Sequence, residues 1–306
     1  MRIAISGSSG LIGTALRARF QSDGHETLRL VRSRGAAGAA GESEIAWDPG
    51  AGTIDAARLE GVDAVINLSG ASLAAWPWTA ARKRRMVESR VRSTRLLAGT
   101  LAALSRGPRV LISASAIGYY GNRGDTRLTE TSPAGTGFLA ELCRAWEAAT
   151  EPASRAGIRV VTPRIGMVLS GSGGALAPLL LPFRFGLGGN LGSGRQYMSW
   201  IALDDLIGAI AHMISHDTLA GPVNAASPHP VPNAEFTRAL GRVLGRPTAL
   251  PFPTFAARLL LGEMADELLL SSARVEPALL LATGYKFRHP DLEGALRAAL
   301  ARPSAR

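Results

Sequence analysis

The chain has one cysteine, Cys143, so no disulfide can form within it and its stability must come from packing. Lysine is nearly absent: of 34 basic residues only Lys83 and Lys286 are lysine, and the others are arginine. That skew, with abundant alanine and glycine, is what a G+C-rich coding bias produces. No run of 18 or more uncharged apolar residues occurs, which removes the usual membrane-spanning helix. The start, Met1-Arg2-Ile3-Ala4-Ile5-Ser6-Gly7, lacks the apolar run and cleavage site of a signal peptide and reads directly as a strand. These absences give the expectation of a cytoplasmic protein. Other chemistries are missing by inventory. There is no GxxxxGK[ST] phosphate loop and no HExxH pair. His212 and His216 share a helix face, but no cysteine or histidine set accompanies them, so no metal is expected.

The net charge is +10 over 306 residues. The one dense basic run is Arg82-Lys83-Arg84-Arg85, followed by Arg90, Arg92 and Arg95. It has helical spacing and no aromatics interleaved for base stacking, so nucleic acid is not an expected partner. Hydrophobic residues are 46% and charged residues 19%, ordinary for a globular chain of one large domain or two coupled ones.

Short apolar strands alternate with helical patterns through the first half. Strands are expected at Arg2–Ser6, Glu26–Val31, Ala64–Leu68, Val110–Ser113 and Arg159–Pro163. Helices are expected at Leu11–Asp23, Trp78–Ala103 and Gly137–Ala153. That alternation implies βαβ units and a parallel sheet covered on both faces. Residues 170–198 are rich in Gly, Leu and Pro with little periodicity. Helices follow at Asp204–Ile214, with its acidic start, and at Asn233–Leu244, with Asn233 as its expected N-cap. Beyond Pro251 the chain reads as mostly helical.

The strongest local signal is Gly7-Ser8-Ser9-Gly10-Leu11-Ile12-Gly13, set between a strand and a helix. Gly7 permits the tight turn, Gly10 lets backbone approach a pyrophosphate, and Gly13 lets the helix pack on the strand. The helix N-terminus then offers its free N–H groups to phosphate. NAD sites place a carboxylate about 20 residues further on, against the ribose hydroxyls. Here the second strand ends Leu30-Val31-Arg32-Ser33-Arg34, with no carboxylate. Arg32 suits a 2′-phosphate instead, so the expected cofactor is NADP.

Several longer motifs carry a resemblance. They are Gly7–Gly13, Val65-Ile66-Asn67-Leu68-Ser69-Gly70, Ser113-Ala114-Ser115-Ala116-Ile117-Gly118-Tyr119-Tyr120-Gly121, Pro163-Arg164-Ile165-Gly166-Met167-Val168-Leu169 and Gly188–Gln196. With them the chain resembles, over essentially its whole length, an atypical extended short-chain dehydrogenase/reductase. It is similar to the epimerase-like branch of unassigned function, NADP-binding oxidoreductases with a C-terminal extension. The resemblance implies a Rossmann-type, doubly wound parallel sheet with a smaller, mostly helical C-terminal lobe. It implies a cofactor domain over residues 1–165, to which residues 199–228 return, and a substrate lobe over 166–306 with its extension from 250. It also implies cofactor contacts at Ser9, Leu11, Ile12, Val31, Arg32, Ser33, Leu68, Ser69, Gly70, Arg90, Ser113 and Val168.

Ordinary members of that superfamily carry Tyr and Lys four apart on one helical face, the lysine helping the tyrosine act as acid or base. Neither lysine of this chain has a tyrosine four residues before it: Thr79 precedes Lys83 and Ala282 precedes Lys286. Leu139 and Cys143 align with the two places. Ser115 fits the catalytic serine, and Tyr119 or Tyr120 is left as a candidate acid. Arg184, Arg195 and Gln196 are the expected polar contacts of an unidentified small-molecule substrate. Two functions are compatible with these residues: an NADP-dependent oxidoreductase or epimerase-like enzyme, and a non-catalytic NADP(H)-binding sensor.

Overall fold

The computed structural model describes residues 1–32 and 41–301. The chain opens with β1 (Arg2–Ser6), α1 (Leu11–Ser22), β2 (Glu26–Arg32), β3 (Glu44–Asp48), β4 (Thr53–Ile54) and β5 (Ala64–Asn67). Next come α2 (Ala80–Ala102), β6 (Val110–Ser113), β7 (Ser115–Ala116), β8 (Arg127–Leu128), α3 (Phe138–Ala148), α4 (Glu151–Arg155) and β9 (Arg159–Ile165). After these stand β10 (Met167–Leu169), α5 (Leu176–Arg184), β11 (Tyr197–Met198), β12 (Trp200–Ala202), α6 (Leu203–Ser215) and β13 (Gly221–Ala225). The remainder is β14 (Val231–Pro232), α7 (Asn233–Leu244), α8 (Thr254–Leu261), β15 (Arg274–Val275), α9 (Ala278–Ala282) and α10 (Leu292–Ala301).

The main sheet runs β13–β9–β6–β5–β1–β2–β3–β4, with β7 beside β9, and all its pairs but β3–β4 are parallel. Alternate residues of its short apolar strands face two different cores. Ile3, Ile5, Ala64, Ile66, Val110 and Ile112 pack under α1 and α6. Ala4, Val65 and Leu111 pack on the other face with Leu97 and Leu101 of α2. This is the doubly wound, two-faced burial that continuous apolar strands require. A third core joins α5, α7 and α10 to β10 and β12, and forms the smaller lobe. Among the described residues no helix is long and apolar enough to cross a membrane.

Chain order reverses between β1 and β5, since β2 and β3 extend the sheet one way and β6 and β9 the other. Ligands in open α/β sheets bind outside the carboxyl ends of the strands at such a switch point.

Four expectations need correction. The helix expected over 137–153 is two, because Pro152 lacks the N–H needed to continue α3 and is instead accommodated in the first turn of α4. A helix, α5, lies inside the Gly/Leu/Pro-rich stretch and carries Pro182 in its interior. Asn233 is the first residue of α7 and Pro232 its N-cap; the Asn233 side-chain oxygen accepts from the Leu191 amide at 2.8 Å. Asp205 does more than complement the helix end. It is buried and accepts the amides of Arg288 at 2.6 Å and His289 at 3.0 Å, pinning the C-terminal segment to α6.

Candidate functional site

The glycine loop follows β1 at the switch point. Gly7 has φ +67°, and a Cβ there would stand 2.8 Å from the Leu68 carbonyl oxygen. A Cβ on Gly13 would collide with the Gly7 carbonyl oxygen. These two glycines are therefore fixed by backbone packing. Gly10 differs. It is exposed, and a Cβ would meet only Gly7 oxygen, at 3.4 Å. It is the N-cap of α1, with no side-chain cap and no acid in the first turn. The first amides of α1, at Leu11 and Ile12, are left to a ligand or water, at the positive end of the helix dipole. Ser9 is exposed beside them.

Other expected cofactor residues surround this loop. The Leu68 amide donates to Ser6 carbonyl oxygen at 3.3 Å, so the ends of β1 and β5 run together. Leu11 and the Val168 carbonyl both border Gly174, at 3.3 and 3.5 Å from the place of a Cβ, which brings the start of the smaller lobe to the loop. Val31 is half-buried and Arg32 exposed at the carboxyl end of β2. Ser33 lies outside the described residues.

Arg90 enters from α2. It is 7% exposed, packs its guanidinium against Gly70 and over the Trp146 ring, and donates from Nη1 to the Met86 carbonyl at 3.1 Å. Its Nε is buried without a partner among the described residues. Burial lowers its pKa from the ordinary arginine value. A desolvated cation with an unused donor beside Ser69 and Gly70 fits an anionic or carbonyl-bearing ligand.

Ser113 is placed differently from the expectation. It is sealed beneath the strand ends, where Asn67 Nδ2 donates to its hydroxyl at 3.3 Å and to Thr94 Oγ1 at 2.8 Å. Asn67 Oδ1 in turn accepts from Ser6 at 2.7 Å. This network fixes β1, β5, β6 and α2 relative to one another and leaves Ser113 unexposed to ligand.

Ser115, expected as the catalytic serine, is as buried as Ser113 and donates to Glu147 Oε1 at 2.6 Å. Glu147 is also the bidentate partner of Arg164, with both contacts at 2.9 Å. Burial works to lower the Arg164 pKa, but the Glu147 carboxylate outweighs it and holds the guanidinium above its ordinary value. The Arg164 guanidinium lies 3.4 Å from the Tyr119 ring centroid. Tyr119 is half-buried, and its hydroxyl has no hydrogen-bond partner among the described residues. Tyr120 is fully buried. Its hydroxyl lies 2.7 Å from Asn224 Oδ1 and 3.0 Å from the Thr129 carbonyl, and accepts from Arg164 Nη1 at 3.0 Å. Burial pushes its pKa up. Tyr120 is thus a structural residue, and of the two tyrosines only Tyr119 keeps a hydroxyl free for chemistry.

On α3, Leu139 and Cys143 are both buried, and burial pushes the Cys143 thiol up to about 12. Gln196 is also removed from the candidate contacts: its amide donates to the Leu191 and Leu269 carbonyls at 3.0 and 3.2 Å. Arg184 and Arg195 are exposed. Glu147 is the residue sequence reasoning passed over. It stands one turn beyond Cys143, on the helix face that meets Ser115.

The matching family models are described as "NAD dependent epimerase/dehydratase family", over residues 3–226, and "Domain of unknown function (DUF1731)", over residues 252–299. An epimerase family protein of Mycobacterium leprae is 46% identical over 302 residues, covering 99% of this chain and 96% of its own. The crystal structure of human epimerase family protein SDR39U1 (isoform 2) with NADPH is similar at a TM-score of 0.88 and 32% identity, covering 98% of this chain and 99% of that one. A nucleoside-diphosphate sugar epimerase from Corynebacterium glutamicum gives a TM-score of 0.79 at 37% identity, over 98% of this chain and 58% of that one. With a family model spanning most of its length and relatives aligned nearly end to end, the chain belongs to the NAD dependent epimerase/dehydratase family.

Proposed function

We propose that the chain is an NADP-dependent oxidoreductase of the extended short-chain type, acting on a small carbonyl or hydroxyl compound. The observation that carries this reading is the cradle in which Gly7 and Gly13 admit no Cβ while Gly10 opens on an uncapped helix. The cradle would hold the pyrophosphate with Ser9 and the amides of Leu11 and Ile12. Arg32 would take the 2′-phosphate, and Leu68, Ser69, Gly70, Arg90 and Val168 would line the remaining length. The NADPH carried by the human relative supports the same cofactor. When bound, the cofactor supplies hydride at nicotinamide C4. The chain's own contribution is orientation and a proton. Ser115 is buried and donates its hydrogen to Glu147, so its part is to hold that carboxylate in place beneath the site. Tyr119 has the free hydroxyl that can donate to a substrate oxygen.

Fluorescence titration with NADPH and NADH tests the cofactor. NADPH is expected to bind at least tenfold tighter than NADH, and Arg32→Ala to remove most of that difference, about 1.4 kcal/mol. Equal affinities for the two cofactors in the unmodified protein would sink the assignment. A second reading, a non-catalytic NADP(H) sensor, is favoured by one observation: the two places of the acid–base pair hold buried Leu139 and Cys143. Absorbance of NADPH followed against aldehydes, ketones and sugars separates the two. Turnover that falls in Tyr119→Phe with binding retained supports the enzyme; tight binding with no turnover in any class supports the sensor.

A further inference from the structure

Two positive features flank the site at the carboxyl edge of the sheet, and the C-terminal segment cancels both. The first is the N-terminus of α3. Its N-cap, Gly137, has φ +101° and no side chain with which to cap. Glu267 supplies the cap from the far end of the sequence: its Oε1 accepts from the Phe138 amide and its Oε2 from the Leu139 amide, both at 3.1 Å. A Cβ on Gly137 would collide with Glu267 Oε1, so glycine there makes room for the carboxylate. The second is Lys83, in the first turn of α2. Its Nζ donates to the two Glu263 oxygens at 2.7 and 3.0 Å, and lies 5.0 Å from the Phe138 ring centroid.

α2 follows β5 of the main sheet, whereas α3 follows β8, which pairs with β15 outside it. What brings the start of α3 to the site is Phe138, packed in one cluster with Leu68 and Tyr119. The surface between them is apolar. Trp78 meets Phe138 edge-on at 5.3 Å, and both pack in one cluster with Leu73 and Tyr119. A bare helix N-terminus beside a lysine would attract carboxylates and phosphates. Here one short stretch of the C-terminal extension places a carboxylate on each.

We infer that Glu263 and Glu267 set the charge specificity of the site, so that the end of the substrate meeting α3 and Lys83 is an uncharged carbonyl or hydroxyl compound. Neither glutamate touches the reacting atoms; both act through α3 and Lys83. This inference rests on the reading that the crevice holds NADPH and transfers its hydride to a carbonyl carbon, a proton going to the oxygen and NADP⁺ leaving.

The test uses the full chain with NADPH and a matched pair of aldehydes, benzaldehyde and 4-carboxybenzaldehyde. The unmodified protein is expected to prefer the neutral aldehyde in kcat/KM by at least about tenfold. The Glu263→Gln, Glu267→Gln double variant is expected to narrow that ratio about fivefold, through KM more than kcat, as loss of two partly screened charge contacts predicts. A preference for the carboxylated aldehyde, or a ratio unmoved by the double variant, overturns the inference. If neither aldehyde turns over, the wider carbonyl screen decides the hydride reading and a second measurement, independent of turnover, decides the inference. Inorganic phosphate is titrated into the NADPH-loaded protein while the Phe138 and Leu139 amide resonances are followed. Saturable shifts in Glu267→Gln but not in the unmodified protein support it; identical behaviour overturns it. Should Glu267→Gln fail to fold, Glu263→Gln, on an exposed ion pair of little structural weight, is expected to gain phosphate affinity by itself. No gain there counts against the inference.

Discussion

A guanidinium buried without a carboxylate lowers stability, because its desolvation is not offset by an ion pair. Arg90 is in that position, whereas Arg164, equally buried, has Glu147. The two arginines therefore respond in opposite ways to neutral replacement. Arg90→Met is expected to leave the thermal midpoint of the cofactor-free protein unchanged or raised, and to weaken NADPH binding about tenfold, ~1.4 kcal/mol. A clear loss of cofactor-free stability would show that Arg90 serves the fold alone. Melting curves with and without NADPH make the comparison. At this scale the sequence is informative where one residue type is forced by backbone space. Gly7 and Gly13 are of that kind. It is silent where partners meet only through the fold. Nothing in the spacing of Ser115, Glu147 and Arg164 announces that the Glu147 carboxylate serves the other two, and nothing distinguishes half-buried Tyr119 from fully buried Tyr120, its neighbour in sequence.

Helices and strands are legible to the extent that burial dictates their pattern. β1, β5 and β6 are buried on both faces, so their apolar runs are continuous and visible. β3 escapes because only Ile45 and Trp47 of its five residues are buried, and the short strand is closed at each end by a charged residue, Glu44 and Asp48. The acids at the start of α6 are visible as helix-start residues, but the role of Asp205 is not, since its partners lie more than eighty residues away. That role carries a consequence for α10. Asp205→Ala would remove the carboxylate that both amides of Arg288 and His289 share, at a cost of about 1–3 kcal/mol. The urea midpoint is expected to fall, and hydrogen exchange over 285–296 to quicken more than over the main sheet. Uniform quickening would mean that the segment has no separate stability.

The family models divide the chain near residue 250, but its hydrogen bonds do not. Glu130 Oε1 accepts from Asn224 in the main sheet at 3.1 Å and from Leu279 in the extension at 3.2 Å. Ser199 donates to the Ala273 carbonyl at 2.7 Å. A fragment of residues 1–250 would lose these partners and uncover the cores that α9 and α10 close. It is expected to show no cooperative thermal transition by circular dichroism; a sharp melt near that of the whole chain would establish two independent units. The texture change beyond Arg164 is visible in sequence, whereas the pairing of β13 with β9 is long-range and is expected from the family resemblance, not from any local pattern. Arg90 has one further implication on this scale. On the proposed reading, the cation sealed beside the glycine loop meets its counter-charge only when cofactor is present. Each bound NADPH then acts as a folding ligand, adding about 2.7 kcal/mol at a hundredfold excess over Kd. Turnover of the polypeptide by proteases would in that case follow the cell's supply of this cofactor, and abundance itself would become a readout of it.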